Sequence, residues 1–458
     1  MATIFMYCLD FAINTVQAGI RCFIVDNAPV HQQESANAWA SRLTGVGNIL
    51  GYIFGYIHLP KYLPSLGDTQ FKVLCALASA SLAITLLISC LYIKERDPRL
   101  DASPSEGNPG LIAFFKQIFR SIKYLPPEIA KVCEVQLAAW VGWFPFLFYA
   151  TTYIGQLYVN PIFEEHPRLP EKEINDIWDE ATRIGTFALL IYAIISFITS
   201  IALPAFVVPT YQAVAAPENE YGASNPDEEP FLATRRMSFS SLPVGSASEP
   251  PPNLPREHDN QASEGPKWLL KLQIPGLTLR RAWLLSHVLF ALCMFFTFFI
   301  YKYQAGTVVI SLIGISWALT LWAPFALISA EVARIDAERR IRRQHSRMMG
   351  TIEPWATASA AQQEDADGSD LENGASSMKA HKDEENLAQA GIILGLHNVA
   401  VSAPQILSSL ICSGIFKISQ KPRGEPWDDS VGWVLRFGGC SAVLAAWLTS
   451  RLDEGTKR

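Results

Sequence analysis

Long apolar stretches alternate with polar segments along the whole chain. A helix needs about 20 mainly apolar residues to cross the hydrocarbon core of a bilayer. Nine stretches approach that length, near residues 2–24, 36–58, 71–93, 131–155, 182–208, 282–301, 307–330, 387–412 and 431–450. The pattern therefore predicts an all-α membrane protein, a helical bundle of about nine transmembrane helices.

Polar segments divide these predicted helices into two groups. Residues 1–93 contain three of them, residues 94–130 form a linker, and residues 131–450 contain the remaining six. Within the second group, the loops 209–280 and 346–386 are rich in small, polar and acidic residues. Such segments bury too little apolar surface to offset the entropy of ordering, so both loops are predicted to be disordered.

The charges of the polar segments predict the orientation of the bundle. Lys and Arg are concentrated at 94–123 and 331–350, whereas 156–180 is acidic. Basic loops remain in the cytoplasm. The linker, both long loops and the tail 451–458 are therefore predicted to be cytoplasmic, with the amino terminus on the outer side.

Composition supports a membrane protein and excludes several functions. Only 17% of the 458 residues are charged, whereas soluble proteins average about 25%. Basic residues do not interleave with aromatics, so no nucleic-acid partner is predicted. The eight cysteines show no metal-site spacing, and no catalytic triad, paired metal-binding histidines or phosphate loop is recognisable. Neither an enzyme nor a bound cofactor is predicted.

A stripe of polar residues in the first predicted helix is the strongest candidate site. Asp10, Asn14, Gln17 and Arg21 are spaced i, i+4, i+7 and i+11, which places them on one face of a helix. An ionisable side chain within a bilayer is costly and usually functional. The stripe therefore predicts a face directed at a polar cavity, with Asp10 as a group that binds and releases a proton. Ion pairing with neighbouring helices is the alternative interpretation.

A second stripe lies in the eighth predicted helix. Asn398, Ser402, Gln405 and Ser409 repeat the same spacing, and Pro404 is expected to kink or open the helix between them. Amides and hydroxyls suit a polyhydroxylated ligand, and they equally suit hydrogen bonds between helices. The tryptophans of the seventh helix, Trp317 and Trp322, are interpreted as anchors at the membrane interface.

Short motifs occur in one consistent order along the chain. They are Leu9-Asp10-Phe11-Ala12 with Gln17 and Arg21, Gly47-Asn48-Ile49-Leu50-Gly51-Tyr52, Trp143-Phe144-Pro145-Phe146, Arg183-Ile184-Gly185, Pro324-Phe325-Ala326, and Asn398 with Pro404-Gln405. This order resembles helices four to twelve of the sucrose–proton symporters, which are glycoside–pentoside–hexuronide cation symporters of the major facilitator superfamily. Ala150-Thr151-Thr152 replaces the Asp-Thr-Asp of plant members, and the fungal branch is the more similar one.

The resemblance implies a fold and residue roles. The fold would be a major facilitator bundle whose amino-terminal half is incomplete, because the first three of twelve helices have no counterpart. Asp10 would bind the coupling proton, and Arg21 and Arg183 would be the buried arginines required for sugar transport. Together with the two polar stripes, the expected substrate-binding residues are Asn14, Gln17, Arg21, Arg183, Asn398 and Gln405.

The expected function is symport of a proton with sucrose, maltose or a similar α-glucoside across a lipid bilayer. A non-transporting sugar sensor or scaffold, or an inactive truncated transporter, is the alternative. The plasma membrane is preferred over the vacuolar membrane.

Overall fold

A computed structural model describes residues 2–27, 33–93, 125–167, 169–208, 272–351, 393 and 395–452. For some helical residues it describes the backbone alone, among them Asp10, Asn14, Arg21, 33–38 and 336–351. Most of the predicted tail, of the linker and of the two long loops lies outside the described residues.

Nine long helices make up most of the described part of the chain. They are α1 Ala2–Asn27, α2 Gln33–Tyr56, α3 Gln70–Tyr92, α4 Pro127–Glu165, α5 Glu171–Phe206, α6 Leu279–Phe296, α7 Tyr303–Thr351, α8 Gly395–Ser419 and α9 Ser430–Ser450. Seven of them, α3 to α9, are long and apolar enough to cross a membrane. The remaining two, α1 and α2, lie where the other two spans were predicted. The all-α, multi-pass membrane architecture is confirmed.

Helix starts follow local sequence signals that the hydropathy pattern alone does not show. The hydroxyl of Thr69 accepts a hydrogen bond from the backbone N–H of Lys72 at 3.3 Å, which caps α3. Thr278 caps α6 in the same way, by accepting from the N–H of Arg281 at 3.3 Å. Each cap satisfies a backbone donor that has no partner within the helix.

One helix extends well beyond its predicted span. α7 continues to Thr351, past the predicted start of a disordered loop at residue 346. The extension is polar and contains Ala, Glu and Arg, which are strong helix formers. Near its start the guanidinium of Arg334 donates to the carboxylate of Glu331, one turn earlier, at 2.6 and 2.9 Å. Hydropathy marks only the part of a helix that faces lipid, so this extension was not predicted.

The predicted interruption of α8 at Pro404 is confirmed. The regular hydrogen-bond pattern of α8 is interrupted at Ala403, although this residue keeps helical backbone angles, and the pattern resumes at Pro404. A proline has no N–H, so it can begin a helix but cannot donate within one. Asn398 and Gln405 therefore lie on either side of this interruption.

Aromatic side chains form the centre of the core. Trp143 of α4 is 2% exposed and its ring lies 4.3 Å from Phe290 of α6 and 5.0 Å from Trp317 of α7, measured between centroids. Trp140 also contacts Trp317, at 6.0 Å. The interpretation of Trp317 as an interface anchor is therefore wrong. The sequence around a tryptophan is the same whether its ring lies in the core or at the membrane interface. Only the packing of α4 against α7 shows that the face of α7 that carries Trp317 is covered.

Close contact between α2 and α5 depends on two glycines. A Cβ atom at Gly45 would lie 2.9 Å from the ring of Phe197, and one at Gly55 would lie 2.6 Å from the methyl group of Thr186. Small residues permit such an approach between helices in a membrane. This contact joins the amino-terminal helices to the carboxyl-terminal group.

Candidate functional site

A mainly apolar cavity with a few polar side chains lies where α2 meets α5 and α7. Its volume is about 40 Å³. It is lined by Ser41, Gly45, Asn48, Tyr192, Ala193, Ser196, Phe197, Ser200, Pro204, Trp317, Ala318, Leu321 and Trp322. It therefore combines residues from both groups of helices that the sequence predicted.

The cavity wall combines polar groups with aromatic rings. Asn48 contributes an amide, Ser41 and Ser196 contribute hydroxyls, and Trp317 contributes an indole face. The hydroxyl of Tyr192 is buried and has no hydrogen-bond partner among the described residues. An unpaired buried hydroxyl is costly, so a helix movement that brought it into contact with a ligand or water would be favoured. Amides and hydroxyls beside apolar rings suit a neutral polyhydroxylated molecule.

Helix periodicity explains how these polar groups converge. Tyr192, Ser196 and Ser200 are spaced i, i+4 and i+8, so they lie along one face of α5. On α2, Ser41 and Asn48 are spaced i and i+7 on the face that meets α5. Both series were present in the sequence and were not predicted as parts of a site.

Arg183 lies at the junction of α2 and α5 and does not line the cavity. Its Nε donates to the backbone carbonyl oxygen of Tyr56 at 3.2 Å, and its guanidinium lies 5.9 Å from the centre of the Tyr56 ring. The carbonyl belongs to the last turn of α2, where it has no partner within the helix. In this conformation Arg183 ties the end of α2 to α5.

The other predicted residues are more scattered. The side chains of Asp10, Asn14 and Arg21 lie outside the described residues. Those of Gln17 on α1 and Asn398 on α8 are exposed. Gln405, also on α8, is partly buried, and none of these last three lines the cavity. The proposed roles of all seven predicted residues therefore stay predictions.

The amino-acid sequence is similar to those of known sugar transporters. No protein-family model matches the chain. The general alpha-glucoside permease of Schizosaccharomyces pombe is 35% identical over 457 residues, which covers 98% of this chain and 72% of the permease. Sucrose transport protein SUT5 of Oryza sativa subsp. indica is 30% identical over 206 residues, 43% of this chain and 37% of the rice protein.

The similarity to the permease runs through nearly all of this chain, including α1 to α9 and the segments that join them. Its extent agrees with the ordered motifs and with the helical membrane fold. The chain therefore belongs to the family of sucrose and α-glucoside symporters.

Proposed function

We propose that this protein carries an α-glucoside such as sucrose or maltose across a membrane together with a proton. The observation that carries the proposal is the cavity of amides, hydroxyls and indoles between α2, α5 and α7. It lies in a chain that aligns over 98% of its length with a permease for α-glucosides. Secondary transporters bind substrate at such a meeting of two helix groups.

The size of the cavity requires the helices to move during transport. Ligand sites in proteins occupy about 300–1,000 Å³. The cavity of about 40 Å³ holds a few water molecules and no sugar ring. Substrate entry must therefore separate α2 from α5 and α7, as alternating access requires. The contacts at Gly45, Gly55 and Arg183 are the ones that would open.

Uptake by the full chain in proteoliposomes tests the proposal. With an acidic exterior, we expect labelled maltose or sucrose to accumulate above its external concentration, and a protonophore to abolish the accumulation. Uptake that is indifferent to the protonophore would contradict proton coupling. Sugar binding without any flux would instead favour the sensor.

Substitution of Asn48 tests the cavity itself. Asn48→Leu keeps the number and branching of the side-chain heavy atoms and removes the donor and the acceptor of the amide, so we expect the KM for the α-glucoside to rise about tenfold, the equivalent of one or two lost hydrogen bonds. Thr44→Val is the matched control, because Thr44 lies one turn earlier on α2, is exposed, and bonds to the carbonyl oxygen of Ala40 at 2.9 Å. An unchanged KM in Asn48→Leu would exclude this cavity as the sugar site.

We place the protein in the plasma membrane rather than the vacuolar membrane. A symporter driven by an inward proton gradient accumulates sugar in the cytoplasm when it lies at the cell boundary. A fluorescent fusion that labels the vacuolar rim would contradict this location.

A further inference from the structure

A second, larger cavity lies away from the one between α2, α5 and α7. Its volume is about 280 Å³, and it is enclosed by α4, the turn after α6, the start of α9 and the segment between α8 and α9. It shares no lining residue with the first cavity. Its volume is close to the lower limit of ligand pockets, so it suits one sugar ring rather than two.

The backbone is strained where Trp427 meets this cavity. Trp427 has a φ of +59°, which is uncommon for a residue other than glycine. Its N–H donates to Oδ1 of Asn160 at 3.0 Å, and Nε2 of Gln156 donates to the same oxygen at 3.2 Å. Asn160 and Gln156 are both buried. This buried pair holds Trp427 in the strained conformation, and the indole, 42% exposed, lines the cavity. Strain of this kind is concentrated at binding sites.

Tyr153, which carries an unpaired hydroxyl, also lines the cavity. Tyr153 of α4 is 4% exposed, and its hydroxyl is buried behind the cavity wall with no hydrogen-bond partner among the described residues. Burial of a hydroxyl without a partner is unfavourable. A turn of this side chain towards the cavity would let a ligand hydroxyl supply the missing hydrogen bond.

The charges around the cavity favour a neutral ligand. The guanidinium of Arg436 is 5% exposed and donates to both carboxylate oxygens of Asp429, at 2.5 and 3.1 Å. It also donates to the hydroxyl and the carbonyl oxygen of Thr297, at 3.2 and 3.0 Å. The ring of Phe298 lies 4.0 Å from the guanidinium carbon. These contacts use four of the five N–H donors of Arg436, and Asp429 neutralises its charge, so little of its capacity is left for a phosphate or carboxylate.

We propose that this cavity binds a single glycopyranosyl ring, as a second sugar site separate from the transport route. Its hydroxyls bond to Tyr153 and to the acidic and amide side chains of the cavity, and its apolar face lies against Trp427. Asp428 lines the same wall and supplies carboxylate acceptors for sugar hydroxyls. The site goes beyond transport, because binding here requires no flux.

Equilibrium binding of methyl α-D-glucopyranoside, a one-ring probe, to the full chain in nanodiscs tests the proposal. Trp427→Gly removes the indole and keeps a residue that tolerates the positive φ, so we expect affinity to fall more than tenfold. Tyr153→Phe removes only the unpaired hydroxyl, so we expect affinity to fall about fivefold with no loss of thermal stability. Trp447→Ala, at an exposed position of α9 outside the cavity, is the matched control and should bind normally.

The result of this binding experiment can be interpreted separately from the result of the transport experiment. Asn48→Leu, which alters the first cavity, should leave binding of the one-ring probe unchanged. Wild-type affinity in both Trp427→Gly and Tyr153→Phe, or no saturable binding to the wild-type chain, would overturn the proposal. Absent uptake with probe binding that depends on Trp427 would reject transport and keep this site.

Discussion

Asp10→Asn is expected to abolish accumulation of α-glucoside against its gradient. The substitution keeps the size of the side chain and removes its ability to bind a proton at any physiological pH. A symporter without its coupling carboxyl can equilibrate sugar but cannot concentrate it.

The measurement compares accumulation ratios with and without an imposed proton gradient. We expect the ratio to fall from well above one to about one in Asp10→Asn, while exchange of sugar between the two sides continues. Asp68→Asn is the matched control. Asp68 is exposed, and the hydrogen bond from Lys72, at 2.5 Å, lowers the pKa of its carboxyl. It therefore stays ionised near neutral pH, and we expect Asp68→Asn to leave accumulation unchanged. Accumulation in Asp10→Asn at the wild-type level would reject Asp10 as the proton site.

Gly314→Ala is expected to be strongly destabilising, although alanine is the better helix former. A Cβ atom at position 314 of α7 would overlap the carbonyl oxygen of Tyr192 on α5 and lie 3.0 Å from the backbone nitrogen of Ser196. Backbone atoms cannot rotate away as a side chain can, so the two helices must separate. Overpacking of this kind costs about 1–3 kcal/mol. Because Tyr192 and Ser196 line the first cavity, its shape should change as well.

Thermal unfolding of purified protein in detergent measures the first effect, and sugar uptake measures the second. Gly414→Ala on α8 is the control, because no atom of the described residues outside the neighbouring backbone of α8 lies within 4 Å of the position its Cβ would occupy. It gains helix propensity of about 1 kcal/mol without a clash and should be neutral or slightly stabilising. Equal melting temperatures for Gly314→Ala and the wild type would show that α5 and α7 are less closely packed than described.

The architecture of this protein follows from its sequence to a large extent. Apolar stretches of span length predicted nine helices, and each has a helical counterpart in the described residues. The reason is that a bilayer allows only structures whose backbone hydrogen bonds are satisfied within the segment. Pro404 predicted the break in α8 for an equally local reason, the missing N–H.

The candidate site was less predictable, because it depends on which faces of different helices meet. The charged residues of α1 made that helix the strongest candidate in the sequence, whereas the described cavity is built from uncharged side chains of α2, α5 and α7. The placement of Arg183 against the last turn of α2 also required the tertiary structure.

The sequence by itself determined the membrane fold, the helix positions and the family, because each depends on local hydropathy or on ordered motifs. Only the tertiary structure decided which polar groups share a cavity. Gln136 and His397 lie 261 positions apart in the chain, and their side-chain nitrogens are 3.1 Å apart in the core. Asn160 and Trp427, 267 positions apart, are joined by a hydrogen bond from the backbone N–H of Trp427 to Oδ1 of Asn160. Such pairs depend on packing between helices, and helix periodicity specifies a face without specifying its partner.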